Sequence, residues 1–320
     1  MDRMCRGAFL DLGSLHPADL DLGGLRHSLS DWRFFDHTRP EQVRERIADA
    51  QVVVTNKVRL TERHLCAAPA LRLVCVAATG ANNIDLEAAR RAGVVVCNAR
   101  NYATASVAEA VFALLLTLVR QLDSYRQQVA AGRWSESPHF CLFDAPIGEL
   151  YGKTLGIVGY GTLGRAVAQR AQAFGMQIQL AQHLQGDPAE GRVPLPELLA
   201  NTDVVSLHCP LSDVTRNLIG RAQLRSMKNS AILINTARGG IVDEQALVTA
   251  LREGWISGAG VDVASREPPP ASNPLLGYRS PRLVLTPHVA WASRNARQRL
   301  VGEITDNINA FKRDETRNRL

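Results

Sequence analysis

The stretch "LGIVGYGTLGRAVAQRAQAFG", Leu155 to Gly175, decides the fold. An apolar, β-branched run enters it, Gly159, Gly161 and Gly164 follow in tight spacing, and a helical pattern leaves it. G-x-G-x-x-G alone is weak, because glycine-rich turns are common. Between a strand and a helix it reads as a dinucleotide-binding turn. Gly159 then makes the tight turn, Gly161 lets the main chain approach a pyrophosphate, and Gly164 lets helix and strand pack closely. Thr162 and Leu163 lead into the helix, whose N-terminus offers unpaired N–H groups and a positive dipole end to the phosphates.

Outward from this turn, short β-rich runs alternate with helical stretches, the pattern of parallel α/β architecture. After Lys153 the strand candidates are "TLGIVGYG", "MQIQLAQ", "DVVSLHC", "SAILINTA", "ISGAGVDVA" and "RLVLTPH", six strands that make a doubly wound sheet. Before it come "GAFLDL", "WRFFDH", "QVVVTN", "LRLVCVAA" and "VVVCNA". A capping box with Pro in the first turn predicts a helix from Thr38, and another helix spans Ile84 to Arg91 and stops at Gly93. A third opens with a capping box at Ser106-Val107-Ala108-Glu109; its middle, "AVFALLLTLV", is apolar all round and predicts burial between domains or subunits. The aperiodic, aromatic segment "AAGRWSESPHFCLFDAPIGELYGKT" reads as an ordered arm and a candidate dimer contact. The amphipathic stretch from Trp291 to Lys312 is expected to return to the first domain. The fold class is therefore α/β, with two Rossmann-like or flavodoxin-like domains built on parallel sheets. The doubly wound dinucleotide-binding domain, 101–289, is inserted into a discontinuous substrate domain, 1–100 plus 290–320.

Composition excludes several other classes. With 320 residues the chain can form two domains with separate cores. Asp11, Asp19 and Asp21 interrupt the N-terminal apolar residues, so no secretory signal is expected. The apolar run Val107 to Val119 carries Glu109 and is too short for a bilayer. The six cysteines are scattered without a C-x-x-C pair, which argues against a zinc site or disulfide framework and fits a reducing cytoplasm. The formal net charge of +6 comes mostly from dispersed arginines without interleaved aromatics, so it favours small anions over nucleic acid. No metal site and no membrane or nucleic-acid partner are expected.

Ligands in open α/β sheets sit beyond the carboxyl ends of the strands, so titratable residues there are the candidates. Arg238 ends "SAILINTARGG" and is followed by two glycines; Asp262 lies in "GAGVDVASREPPP", with Glu267 beside the triple proline; His288 ends "RLVLTPH". Singly, such residues are more often a surface ion pair, a solvated acid or a structural histidine. Their convergence on one edge beside a dinucleotide reverses that weighting. Arg forks onto a carboxylate, and His can give a proton to a developing alkoxide. A carboxylate on the other ring nitrogen fixes the tautomer and favours the protonated form. With a nicotinamide hydride the set reduces a 2-keto acid. His208, Cys209 and Pro210 in "SLHCPL", and Thr236 and Ala237 before Arg238, end strands that line the same edge. Cys209 lacks an evident base and reads as a small buried residue rather than a nucleophile.

At these residues the chain resembles the D-isomer-specific 2-hydroxyacid dehydrogenases over nearly its whole length. The matching stretches are "AATGANNIDLEAARRAGVVVCN", "SVAEAVFALLL", "GKTLGIVGYGTLG", "SLHCPL", "INTARGGIVDEQAL", "GAGVDV", "REPPP" and "TPHVAWAS". The resemblance implies that Arg238 binds the substrate carboxylate, His288 is the acid/base and Glu267 is its partner. It implies that Asp262 faces the nicotinamide carboxamide and that the main chain of Ala78, Thr79 and Gly80 forms a second carboxylate cradle. "TNKV" at Thr55 to Val58, "RWSESPHFC", and "TPHVAWAS" with Trp291 resemble the glycerate dehydrogenase/hydroxypyruvate reductase branch. That branch implies hydroxypyruvate or glyoxylate reduction, with Asn56 and Lys57 as polar options for a 3-hydroxyl. The family also implies a closing interdomain cleft and usually a homodimer. Ending shortly after its last helix, the chain is expected to lack the regulatory domain of many phosphoglycerate dehydrogenases, and Glu267 stands where formate dehydrogenases have Gln. Corepressors of the same fold, which bind the dinucleotide as a conformational ligand, can keep Arg, Glu and His; the compact chain favours the enzyme.

The coenzyme is chosen near the end of the second strand, where NAD-selective proteins place an acid about 20 residues past the glycine turn. Here "MQIQLAQHLQGD" offers Gln182 and His183 instead. Gln182 can bond a 2′-hydroxyl without repelling a 2′-phosphate, and His183 or Arg192 can meet that phosphate with positive charge. Both NAD(H) and NADP(H) are expected to be accepted.

Overall fold

The computed structural model describes residues 5–184 and 189–320. These form two compact units, Met1–Ala103 with Ala292–Leu320, and Thr104–Trp291. The unit boundaries fall two to three residues from those read in the sequence.

The first unit carries β1 (Arg6–Phe9), β2 (Asp31–Phe34), β3 (Val52–Thr55), β4 (Leu73–Val76) and β5 (Val95–Cys97). All pair in parallel in the order β2-β1-β3-β4-β5, the flavodoxin-like order. Every residue of β3 and β4 is buried, as near-continuous apolar strands between helical layers require. The terminal helix Arg294–Lys312 belongs to this unit. Its Arg297 is 8% exposed and forks onto Asp19, with Nη1–Oδ1 at 2.7 Å and Nη2–Oδ2 at 2.8 Å, while also donating to the carbonyls of Leu15 and His16. The expected cap at Thr38 is displaced. Its hydroxyl donates to the Leu10 carbonyl instead, and the helical segment opens with Arg39 N–H donating to Gln42 Oε1 at 3.0 Å.

The second unit carries β6 (Thr154–Val158), β7 (Gln177–Ala181), β8 (Arg192–Val193), β9 (Val204–Leu207), β10 (Ile232–Asn235), β11 (Gly258–Val261) and β12 (Leu283–Leu285). Their order is β12-β11-β10-β9-β6-β7-β8, all parallel. The doubly wound order is present with seven strands rather than six, because the two-residue β8 is too short to announce itself by periodicity. Strand order reverses between β6 and β9, which makes the carboxyl ends of those strands the switch-point crevice.

The apolar helix spans Thr104–Val119, so Ser106 lies inside it and not at its cap. The Ser106 hydroxyl donates instead to the Ala290 carbonyl at 2.7 Å. This helix is buried within its own unit, against β10, β11 and β12. Gly258 and Gly260 permit the approach: a Cβ on Gly260 would lie 2.8 Å from Leu114 Cβ, and one on Gly258 would lie 3.1 Å from a Leu118 methyl. The next helix, Leu122–Ala130, leads into the arm, which is stitched by Tyr125 Oη donating to the Ala145 carbonyl and Trp134 Nε1 to the Phe140 carbonyl. Yet it presents Trp134, Phe140, Phe143 and Tyr151 to solvent, Phe140 at 91%. Among the described residues no single helix is long and apolar enough to cross a membrane, and no cluster of His, Cys, Asp or Glu is built to hold a metal.

Candidate active site

In the second unit, Asn235, Val261 and Leu285 stand in register on β10, β11 and β12. Arg238 follows Asn235 by three residues, Asp262 follows Val261 directly, and His288 follows Leu285 by three. Three adjacent strands therefore deliver these side chains from one edge at one level.

The turn bearing Arg238 is shaped by buried Asn235, whose Oδ1 accepts from Ala237 N–H at 3.1 Å and whose Nδ2 donates to the Arg238 carbonyl at 3.0 Å. The two glycines that follow serve different needs. Gly240 has φ +79°, whereas a Cβ on Gly239 would lie 1.8 Å from the Ala264 carbonyl oxygen. The Arg238 loop thus crosses the loop that carries Glu267 in main-chain contact. On that loop, Glu267 Oε1 accepts from Ala264 N–H at 3.0 Å, and Oε2 lies 2.6 Å from His288 Nδ1. Both side chains remain partly open, at 32% and 26% exposure. The carboxylate selects the Nδ1–H tautomer and leaves Nε2 as the ring atom available to a reactant.

His288 has φ +55°, the left-handed region that a non-glycine residue enters only when its surroundings enforce it. Asp262 supplies that enforcement. It is 1% exposed, and its carboxylate accepts from the Thr286 hydroxyl (2.5 Å), Val289 N–H (3.0 Å) and Ala290 N–H (2.9 Å), while its carbonyl accepts from His288 N–H at 2.7 Å. Trp291 Nε1 donates to the His288 carbonyl at 2.9 Å, and Ser106 holds Ala290. The structure thus gives Asp262 a task the sequence did not suggest, that of clamping the His288 turn.

The glycine turn follows β6. Gly159 has φ +96° and packs against the main chain of His208 and Cys209, which a Cβ would meet at 2.6–2.9 Å. A Cβ on Gly164 would lie 2.2 Å from the Gly159 oxygen, while Gly161, the N-cap of the helix Thr162–Ala173, faces open space. Two buried polar atoms at the neighbouring strand ends have no hydrogen-bond partner: His208 Nδ1 after β9 and Thr236 Oγ1 after β10. His208 Nε2 is 2.9 Å from Ser206 Oγ, and burial lowers the His208 pKa to about 4, so the ring is neutral at pH 7. An open glycine, a free helix N-terminus and two orphaned polar atoms at the switch point fit a dinucleotide. Burial pushes the Cys209 thiol up, away from the thiolate a nucleophile needs. Pro210 and Ala237 lie at the same strand ends, Gln182 and His183 directly follow β7, and the Gln185-Gly186-Asp187 of the quoted selector stretch lies outside the described residues.

The remaining candidates belong to the first unit, at the carboxyl ends of the adjacent strands β3 and β4. Asn56 is buried, with Nδ2 donating one of its two hydrogens to Ser14 Oγ at 3.0 Å. Lys57 is exposed. Asp11 at the end of β1 holds this loop by accepting from the N–H groups of Asn56 (2.8 Å), Lys57 (2.7 Å) and Val58 (3.3 Å). Burial raises the Asp11 pKa against these bonds. The segment Ala78–Gly80 is tied to β5's exit by Thr79 Oγ1 donating to the Ala99 carbonyl (3.0 Å) and Asn98 Nδ2 to the Thr79 carbonyl (2.7 Å).

Residues 112–290 match the model of the D-isomer specific 2-hydroxyacid dehydrogenase NAD binding domain. The chain is 46% identical over 272 residues to a glycerate dehydrogenase of Methylorubrum extorquens, covering 85% of this chain and 86% of that one. It is 39% identical over 310 residues to a hydroxypyruvate reductase of Blautia hydrogenotrophica, covering 94% and 95%. Among solved structures, the NADPH-dependent glyoxylate/hydroxypyruvate reductase of Sinorhizobium meliloti in complex with NADP and malonate superposes with a TM-score of 0.82 at 28% identity, covering 99% and 97%.

Proposed function

The chain belongs to the D-isomer-specific 2-hydroxyacid dehydrogenase family, and from that premise we propose that it reduces a short 2-keto acid with either NADH or NADPH. Hydroxypyruvate is the best substrate in this reading, glyoxylate is weaker and pyruvate poor. The observation that carries the acid/base assignment is the 2.6 Å contact between His288 Nδ1 and Glu267 Oε2 at the strand edge shared with Arg238. The Gly159–Gly164 turn and the strand ends at 208–210, 236–237 and 262 would hold the nicotinamide coenzyme, which when bound would supply a hydride for the carbonyl carbon. Arg238 forks onto the substrate carboxylate and so fixes the angle of the carbonyl. His288 gives the proton on Nε2 to the developing alkoxide, and in the reverse direction takes it back. Glu267 keeps the ring oriented through that exchange.

The preference for hydroxypyruvate draws on the names of the two relatives and on the polar Thr55–Val58 loop. With one Nδ2 hydrogen given to Ser14, Asn56 has its oxygen or its second N–H to offer a 3-hydroxyl, and Lys57 is the other candidate. The main chain of Ala78, Thr79 and Gly80 is assigned the second contact to the carboxylate. A site that hydrogen-bonds the hydroxyl penalises the methyl of pyruvate. The names of the relatives also favour turnover over a purely dinucleotide-sensing role. The exposed aromatics of the arm are assigned to a homodimer contact, and cysteines outside any disulfide suit a reducing cytoplasm. The test is the purified protein with hydroxypyruvate, glyoxylate and pyruvate and each reduced coenzyme, followed at the nicotinamide absorbance. Equal kcat/KM for pyruvate and hydroxypyruvate would refute the substrate assignment.

A further inference from the structure

Tyr160 occupies the variable position between Gly159 and Gly161, half-buried against the core beneath the turn. Two guanidinium groups approach its ring. Arg165, exposed on the helix after the turn, lies 5.7 Å from the ring centroid, and Arg192, half-buried on β8, lies 5.9 Å away. Arg192 Nη1 also donates to the carbonyl of Ala181, the last residue of β7, at 3.2 Å. Gln182 N–H donates in turn to Val193 O at 2.8 Å, which fixes β8 against the end of β7. A guanidinium from the edge strand is therefore held at the position where this fold meets the adenine ribose.

Among the described residues neither Arg165 nor Arg192 makes an ion pair, and the residue after β7 is the neutral Gln182. Two like charges on one ring repel each other, and an anion between them relieves that repulsion. Arg matches a phosphate with its planar fork, and an aromatic face holds the fork ready.

We propose that Arg165 and Arg192, arrayed around Tyr160, form the seat of the 2′-phosphate of NADP(H). The phosphorylated coenzyme is then accepted through the glycine turn and the edge strand, without an arginine directly after β7. This rests on the reading of the turn as a dinucleotide site.

The experiment is calorimetric titration of the coenzyme-free protein with 5′-AMP and with 2′,5′-ADP, which differ only in the 2′-phosphate. The wild type should bind 2′,5′-ADP tighter by about tenfold or more, the scale of one charged hydrogen bond. Arg192→Gln keeps a donor for the Ala181 carbonyl and removes the charge. It should collapse the ratio toward unity with 5′-AMP affinity unchanged, and Arg165→Ala should lower the ratio in the same sense. Equal binding of both nucleotides by the wild type, or an unchanged ratio in both variants, overturns the seat. Binding of neither nucleotide by the wild type overturns the dinucleotide reading beneath it as well.

Discussion

Asp262→Asn separates two roles for one carboxylate. The coenzyme-facing role implied by resemblance makes the residue matter once nicotinamide is bound. The clamp seen in the structure makes it matter in the empty protein. Asn preserves the shape and one oxygen, which can still serve Thr286 and Val289. Its amide nitrogen would then face Ala290 N–H, a donor against a donor, where Asp262 Oδ2 accepts at 2.9 Å. One buried main-chain donor is left unsatisfied and a second is introduced beside it, about 1–3 kcal/mol each and roughly 2–4 kcal/mol together after partial relaxation. For a unit of this size that is a fall in Tm of roughly 5–15 °C. The freed turn also no longer enforces the positive φ of His288, and a displacement of the ring by about 1 Å costs on the order of a hundredfold in kcat. The assay is calorimetric melting without coenzyme, paired with kcat at saturating keto acid. An unchanged coenzyme-free Tm would refute the clamp and return Asp262 to the nicotinamide alone.

Arg238→Lys keeps the charge and loses the planar fork, so steady-state kinetics should show KM up and kcat down; wild-type constants would remove Arg238 from the substrate contact. His288→Ala should bind coenzyme normally by fluorescence titration while kcat falls by roughly two to four orders of magnitude, and near-normal turnover would mean the proton comes from elsewhere. Gln182→Asp places a carboxylate beside the proposed phosphate seat and should shift the NADH/NADPH ratio of kcat/KM toward NADH by at least about tenfold; a wild type that already rejects NADPH would contradict the premise. Asp19 is held down to about 2 from 3.8, first by its hydrogen bond from Arg297. A depressed carboxyl contributes stability that is present above pH 3.8 and lost as pH falls through 2, so Asp19→Asn should lower Tm at neutral pH and converge on the wild type in acid. A constant Tm difference across that range would show that the ion pair is not its source.

What the sequence made legible follows from what repeats locally. Buried parallel strands such as "VVVT" and "LVCV" announce themselves by continuous apolar, β-branched runs, and the glycine turn by fixed spacing between a strand and a helix. Capping boxes were less dependable, because Thr38 and Ser106 match the local pattern while tertiary partners claim their hydroxyls. Leu10 takes the first and Ala290 the second. The bare pattern cannot rank a cap against a carbonyl that arrives from 28 or 184 residues away. The two glycines after Arg238 show the same limit. Their presence was legible, but only the crossing with Ala264 reveals that Gly239 is required by contact and Gly240 by its φ.

Coenzyme choice lies at the far end of that scale. A reader who looks directly after β7 finds Gln182 and His183 and infers tolerance from the lack of an acid. The residues the structure gathers around that strand end are Tyr160 from the turn before the helix, Arg165 from within it, and Arg192 from a two-residue strand with no periodic signal. Arg192 becomes informative through the Ala181 carbonyl it holds, since without β8 it would be one more arginine in a chain with many. In the proposed seat, selectivity depends on the strand that pairs with β7 as well as on the residues that directly follow it. A deletion of 189–193 should accordingly lower the affinity for 2′,5′-ADP while the glycine turn continues to bind 5′-AMP. Parallel loss of both nucleotides with the fold retained would show that the edge strand supports the whole coenzyme site and carries no selectivity of its own.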